Sequence, residues 1–146
     1  MIGSQGNFAG VLMKKVYPLF YGGKKQKFAR SVVSGGFVFP SGSSGRTLET
    51  GEVSSSDVAE QTKVALEKIR LALEEAGSGL EHIVKMTIYL RNMSDYQAMR
   101  DAEFQYYKDH CPSLAEEPPA STVVQVVSLS KPTMLVEFDA IAALPD

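Results

Sequence analysis

Glu137 is the group in this chain best suited to moving a proton. In "LVEFDAIA" (135–142) it alternates with Val136 and Phe138, shares a strand face with Asp139, and leads into a run that reads as buried. Partial burial raises the pKa of a carboxyl toward neutrality, where it can act as a base or orient a water. The competing reading is a solvated carboxylate or one side of an inter-subunit salt bridge. Ser121 offers a hydroxyl that can hydrogen-bond a ligand. As a nucleophile it has no base near it in sequence, because the two histidines, His82 and His110, stand before a strand and at the end of a helix. Cys111, beside Pro112, reads as an inert filler. "GSSG" (42–45) lacks the lysine and the strand–loop–helix setting of a phosphate loop, so a plain turn is the better reading.

The elements that must position these groups form one domain. At 146 residues the chain is the size of a single compact unit, which buries roughly 70% of its unfolded surface. Fifteen Lys and Arg against 17 Asp and Glu give no basic field, so neither charge nor motif points to nucleic acid. One cysteine excludes an internal disulfide and lacks the paired spacing of a zinc site, which fits a reducing cytoplasm. No apolar run approaches the roughly 20 residues of a membrane span, and the first residues lack the pattern of a signal peptide.

Residues 1–26, rich in Gly and Lys, read as a loose arm, and residues 27–146 as the domain. "FARSVVSGGFVFP" reads as two strands joined by a Gly35-Gly36 hairpin turn. Asp57 with Glu60 opens a helix whose apolar stripe runs from Val58 to Ala76, with Gly77 as its C-terminal cap. Residues 82–91 alternate as a third strand, and Ser94 with Gln97 caps a second helix that Pro112 ends. Strands over about 121–128 and 134–142 complete a β-β-α-β-α-β-β order, an α+β domain with two helices on one face of its sheet. Val124 and Val126 fall on one side of the fourth strand, Val123 and Val127 on the other, so both faces read as buried. Two helices cover only one face; further copies of the chain most simply cover the other.

"FVFPSGSSG", "TGEV", "DVAEQTKVALEKIRLALEEAGSGLEHIVKMTIYLRNMSDY", "PPASTVVQVVSL" and "LVEFDAIA" together resemble the YjgF/RidA family of reactive-intermediate deaminases over about residues 28–142. The resemblance implies a chorismate-mutase-like fold, a homotrimer, and clefts between subunits that bind small carboxylic or carbonyl metabolites without metal or organic cofactor. It carries ligand orientation to Ser41 and Gly42, water positioning to Glu137, and the aromatic border of the cleft to Phe28. Arg30, two residues along the same strand, then faces the cleft as a substitute cation. Where the deaminases carry an arginine that grips the substrate carboxylate, this chain has Ser121, in "PAST" (119–122).

A serine hydroxyl cannot replace the two parallel charge-assisted hydrogen bonds of a guanidinium. The expected function is therefore binding, and hydrolysis, of an enamine, imine or related carbonyl compound other than the standard 2-imino acid. A non-catalytic metabolite sensor is the alternative. An endoribonuclease is disfavoured by the near-neutral charge and the lack of a histidine pair.

Overall fold

The computed structural model describes residues 13–146, in which seven strands form one sheet with the order β1-β2-β3-β7-β5-β6 and a short β4 paired to β7. In chain order the strands are β1 (Lys15–Tyr21), β2 (Lys24–Ser34), β3 (Phe37–Pro40), β4 (Ser43–Ser44), β5 (Ile83–Leu90), β6 (Ala120–Gln125) and β7 (Val136–Ala143); the helices are α1 (Val58–Glu75), α2 (Tyr96–His110) and α3 (Pro112–Glu116). All pairings are antiparallel except β5 with β6, which α2 and α3 connect. A parallel pair needs such a crossover, because a tight turn returns the chain antiparallel.

The alternation read in the sequence is the alternation of the core. Val136, Phe138, Ala140 and Ala142 of β7 and Met86, Ile88 and Leu90 of β5 are buried against Leu66, Ile69 and Leu73 of α1 and Met99 and Tyr107 of α2. Asp57 accepts from the Glu60 N–H at 3.1 Å, and Gly77 at φ +88° closes α1 with Ser78 N–H donating to Leu73 O and Gly77 N–H to Glu74 O. Gly35 and Gly36 both hold positive φ in the β2–β3 turn.

Three expectations change. The loose arm to residue 26 is instead, from residue 15, strand β1 and the start of β2; residues 1–12 lie outside those described. Gly22-Gly23, both at positive φ, make the same kind of hairpin turn as Gly35-Gly36. The lysines that hide the strand are the exposed Lys24, Lys25 and Lys27 at the end of the sheet, where charge discourages further pairing. Ser94 does not cap α2: Met93–Asp95 form a 3₁₀ turn, and Gln97 donates to Asp101 instead. Val127 lies beyond the end of β6 and is fully exposed, and Val124, beside Tyr89 on the face away from the helices, is exposed, so that face is open in the single chain.

Candidate functional site

The sheet is split where the site forms. β3 pairs with β7 only through Phe37↔Ala143 and Val38↔Ala142, and the chain rejoins β7 as β4 through Ser43↔Phe138 and Ser44↔Glu137. Residues 40–42 bridge the gap. Ser41 is held there from both ends, its N–H donating to Arg30 O at 3.1 Å and its hydroxyl to Ala29 O at 2.6 Å. Gly42 then lies so close to Glu137 that a Cβ at this position would stand 2.0 Å from Oε2. Close approach, rather than an unusual φ, requires the glycine.

Tyr21, at the end of β1, brings a cluster of cations to the same place. The Arg46 guanidinium lies 4.0 Å from the Tyr21 ring centroid and the Lys68 ammonium 5.3 Å from it, while Lys68 Nζ donates to Tyr21 Oη at 3.2 Å. Arg46 Nε donates to Gly51 O at 2.7 Å, and Gly22 N–H donates to Leu48 O at 2.9 Å, so the β1–β2 hairpin and the 46–51 loop hold each other. On the other side Gln61 of α1 clamps the segment before β7: its amide donates to Ser55 O and Thr133 O, and its carbonyl accepts from Leu135 N–H. That clamp sets Met134 in the wall. The result is a cavity of about 270 Å³ lined by Tyr21, Phe28, Ser41, Gly42, Ser44, Arg46, Ser130, Met134 and Glu137. A second hollow of about 250 Å³ continues past Glu137 to Asp139 and Tyr89.

Burial raises the pKa of Glu137, the Asp139 carboxylate raises it further, and Lys68 partly offsets them. Burial also raises Asp139. Lys68 moves the other way: burial, then repulsion from Arg46, lowers it to about 7, against a smaller opposite pull from Glu137. Tyr21 is raised, chiefly by burial. A carboxyl raised by burial and an amine lowered to about 7 thus flank one phenol. In the larger recess between α1 and α2, about 510 Å³, the most enclosed of the carboxylates is already spent: Glu67 pairs with Arg70 and accepts from Tyr106, while Asp109 accepts from Gln105.

The model of the Endoribonuclease L-PSP family matches residues 23–144. The chain belongs to that family. A RutC family protein of Pyrococcus abyssi is 36% identical over 115 residues, 79% of this chain and 84% of the relative. TdcF of Escherichia coli, named a candidate reactive intermediate deaminase, is 30% identical over the same shares. Among solved structures, that of Escherichia coli TdcF with bound serine superposes with a TM-score of 0.73 at 28% identity, covering 81% of this chain and 88% of that one. The YjgF gene product of Escherichia coli gives 0.73 at 27%, with the same coverage. The resemblance to the YjgF/RidA family holds, with its α+β fold.

Within this L-PSP family member, the residues read from the sequence divide into two groups. Phe28, Ser41, Gly42 and Glu137 meet in the cavity. Arg30 does not line this cavity but borders the adjoining hollow with Tyr21, Ser41, Gly42 and Lys68; the pairing steps from Tyr17↔Ser31 to Pro18↔Ala29, a bulge at Arg30 opposite a proline that has no N–H for the ladder. The bulge resets the alternation, and Arg30 pairs with Glu75 of α1 at 3.6 Å. Ser121 also lies elsewhere. It pairs with Met86, whose side chain faces the helices, and its hydroxyl accepts from Arg100 of α2 at 2.9 Å, whereas Glu137 pairs with Tyr89 in a row on the opposite face. Tyr21, Arg46, Lys68 and Gln61 were not singled out from the sequence. The one available signal was the Gly22-Gly23 turn, which marks Tyr21 as a strand end.

Proposed function

We propose that this chain forms a homotrimer whose inter-subunit clefts, built on the Glu137 cavity, bind a small carboxylic or carbonyl metabolite and hydrolyse an imine, enamine or related C–N bond. The observation that carries the reading is the half-buried Glu137 carboxyl, raised in pKa and facing a cavity of metabolite size together with Phe28, Ser41 and Gly42. The serine bound in the TdcF structure supports a small, polar, amino-acid-like ligand. Assembly is supported by the open sheet face, where Phe37, Phe39 and Val124 are exposed.

The chemistry needs one group that takes up and returns a proton. Glu137 accepts a proton from water as the water oxygen bonds to the carbon of C=N, and the π electrons move to nitrogen, which takes that proton from the Glu137 carboxyl. The carbinolamine collapses: its hydroxyl gives a proton to the Glu137 carboxylate, which passes it to nitrogen as the C–N bond breaks, so that the carbonyl forms and the neutral amine leaves. Ser41 and the Gly42 backbone orient the ligand. Serine at 121 leaves the β6 position without a paired donor, so the standard 2-imino acid reaction, in which the substrate carboxylate is gripped from that position, is not the one proposed. A sensor that binds in the same cleft without turnover is the second reading. The single cysteine and the lack, among the described residues, of a helix long and apolar enough to cross a membrane fit a cytoplasmic setting.

A thermal-shift screen of small keto acids, imines and enamines identifies ligands, since a compound that binds only the folded chain raises its Tm. Glu137→Gln is then expected to keep ligand binding within a few-fold and to lose turnover by about 10²-fold or more. Unchanged turnover refutes the assignment of Glu137; binding with no turnover in the unmodified protein selects the sensor.

A further inference from the structure

Arg30, Arg70 and Arg100 each have a carboxylate partner. Arg46 has none within ion-pair distance among the described residues, although it lines the Glu137 cavity. Its charge is not spent on Glu137 either, because the cation that favours the ionised form of Glu137 is Lys68. The guanidinium is nevertheless fixed. Nε is tied to Gly51 O at 2.7 Å, and the plane lies over the Tyr21 ring at 4.0 Å. Gly51 permits this packing: it holds φ +76°, and a Cβ there would stand 2.9 Å from Tyr21 Cβ. With Nε used, the two terminal nitrogens keep their N–H donors in the fork that fits a planar oxyanion. An immobilised, unpaired arginine in a partly buried cavity is costly to keep unless an anion completes it.

We propose that Arg46 is the anion anchor of this cavity, and that its ligand is a small monocarboxylate whose carboxylate sits on the Arg46 terminal nitrogens while its carbonyl or imine carbon lies toward Glu137. The inference rests on the reading of the Glu137 cavity given above and adds the residue that holds the ligand's carboxylate. It places the recognition charge on the loop after β4, beside Ser44, and not on β6. Specificity then follows from charge: the neutral amide of the same skeleton offers no second acceptor oxygen and no charge to the fork. Lys68 couples to the event, because it stands against the same Tyr21 ring and feels Arg46 and Glu137; Arg30 shares the hollow beside it, and Glu49, Lys63, Glu67, Tyr106, Asp109 and His110 line the recess on its α1–α2 side. An added negative charge favours its protonated form, so binding takes up protons near pH 7–8.

The test uses pyruvate and pyruvamide as probes of the full-length protein, with affinity read by calorimetry in two buffers of different ionisation enthalpy. The unmodified protein is expected to bind pyruvate at least tenfold more tightly than pyruvamide, with net proton uptake at pH 7.5. Arg46→Gln is expected to lose that preference by weakening pyruvate at least tenfold and leaving pyruvamide within about threefold; Arg46→Lys recovers part of it. Because Arg46 also packs on Tyr21, the melting temperature of each variant is measured, and the unchanged pyruvamide affinity reports an intact cavity. Equal affinity of the unmodified protein for both probes, or an Arg46→Gln variant that keeps the preference for pyruvate, overturns the proposal. Those results leave the Glu137 reading standing if a neutral imine or enamine is still hydrolysed and Glu137→Gln abolishes it, so the two ideas fail separately.

Discussion

Adding one methyl group at Gly42 is expected to disable the site while sparing the fold. The Cβ of Gly42→Ala would stand 2.0 Å from Glu137 Oε2, 3.0 Å from Cδ and 3.3 Å from Cγ. Ordinary contact begins at about 3.5 Å, so the carboxylate has to retreat by about 1.5 Å (3.5 less 2.0). Glu137 ends a flexible side chain that borders a cavity, and rotating it away costs about 0.5–1.5 kcal/mol. For a chain of this size the Tm should fall by about 2–5 °C. A displacement of about 1 Å in a reacting group costs about 10²-fold in rate, so turnover of the imine or enamine identified in the screen should drop by that factor or more. Gly45→Ala is the contrasting variant. Its Cβ would meet Gln61 Cγ at 2.6 Å and Gln61 Cβ at 2.9 Å, atoms near the α1 backbone on a side chain tied by hydrogen bonds to Ser55, Thr133 and Leu135. That residue has nowhere to go, and Gly45→Ala should lose about 2–4 kcal/mol by overpacking and broken hydrogen bonds. Calorimetric melting and a steady-state assay on both variants decide the matter. If Gly42→Ala keeps kcat/KM within threefold, or melts as low as Gly45→Ala, the reasoning from the Gly42–Glu137 contact is refuted.

Two further outcomes are expected. Sedimentation should show a species of three chains, and Phe39→Asp on the open sheet face should shift it toward the monomer; a stable unmodified monomer would remove the basis for an inter-subunit cleft. Lys68, lowered to about 7 from an ordinary 10.5, binds fewer protons in the folded chain than in the unfolded chain between those values, so stability should rise with pH across that window, by up to about 1.4 kcal/mol per unit. Lys68→Met should flatten the rise in denaturation midpoints measured from pH 7 to 9.5, and a slope unchanged by that substitution would show that Lys68 is not its source.

Much of the fold was legible because it rests on local, periodic signals. The α1 stripe, the Gly77 cap, the Gly35-Gly36 turn and the alternation of β5 and β7 each depend on residues close in sequence, and each appears where the pattern put it. The missed β1 shows the limit of periodicity. A strand at the end of a sheet faces solvent on much of its surface, so lysines replace the apolar alternation, although the Gly22-Gly23 turn was present as a signal.

The site divides along the same line. Glu137, Ser41 and Gly42 belong to motifs that can be recognised in the text of the chain, Phe28 follows from them by its place in the preceding strand, and the four meet in one cavity. Arg30 and Ser121 do not line that cavity, because which face a strand residue presents depends on register, and register is decided between strands: a bulge opposite Pro18 turns Arg30 to Glu75 and the hollow next to the cavity, and pairing with Met86 turns Ser121 to Arg100. Tyr21, Arg46 and Lys68 come from β1, a loop and α1, and their sequence neighbours give no hint that they meet. The residue types in this sequence determine which groups are available for acid–base and anion chemistry. Tertiary packing alone decides which of those charges is left unpaired beside Glu137, because a charge is neutralised by whatever lies within a few ångströms of it, and those neighbours are set by the split between β3 and β7.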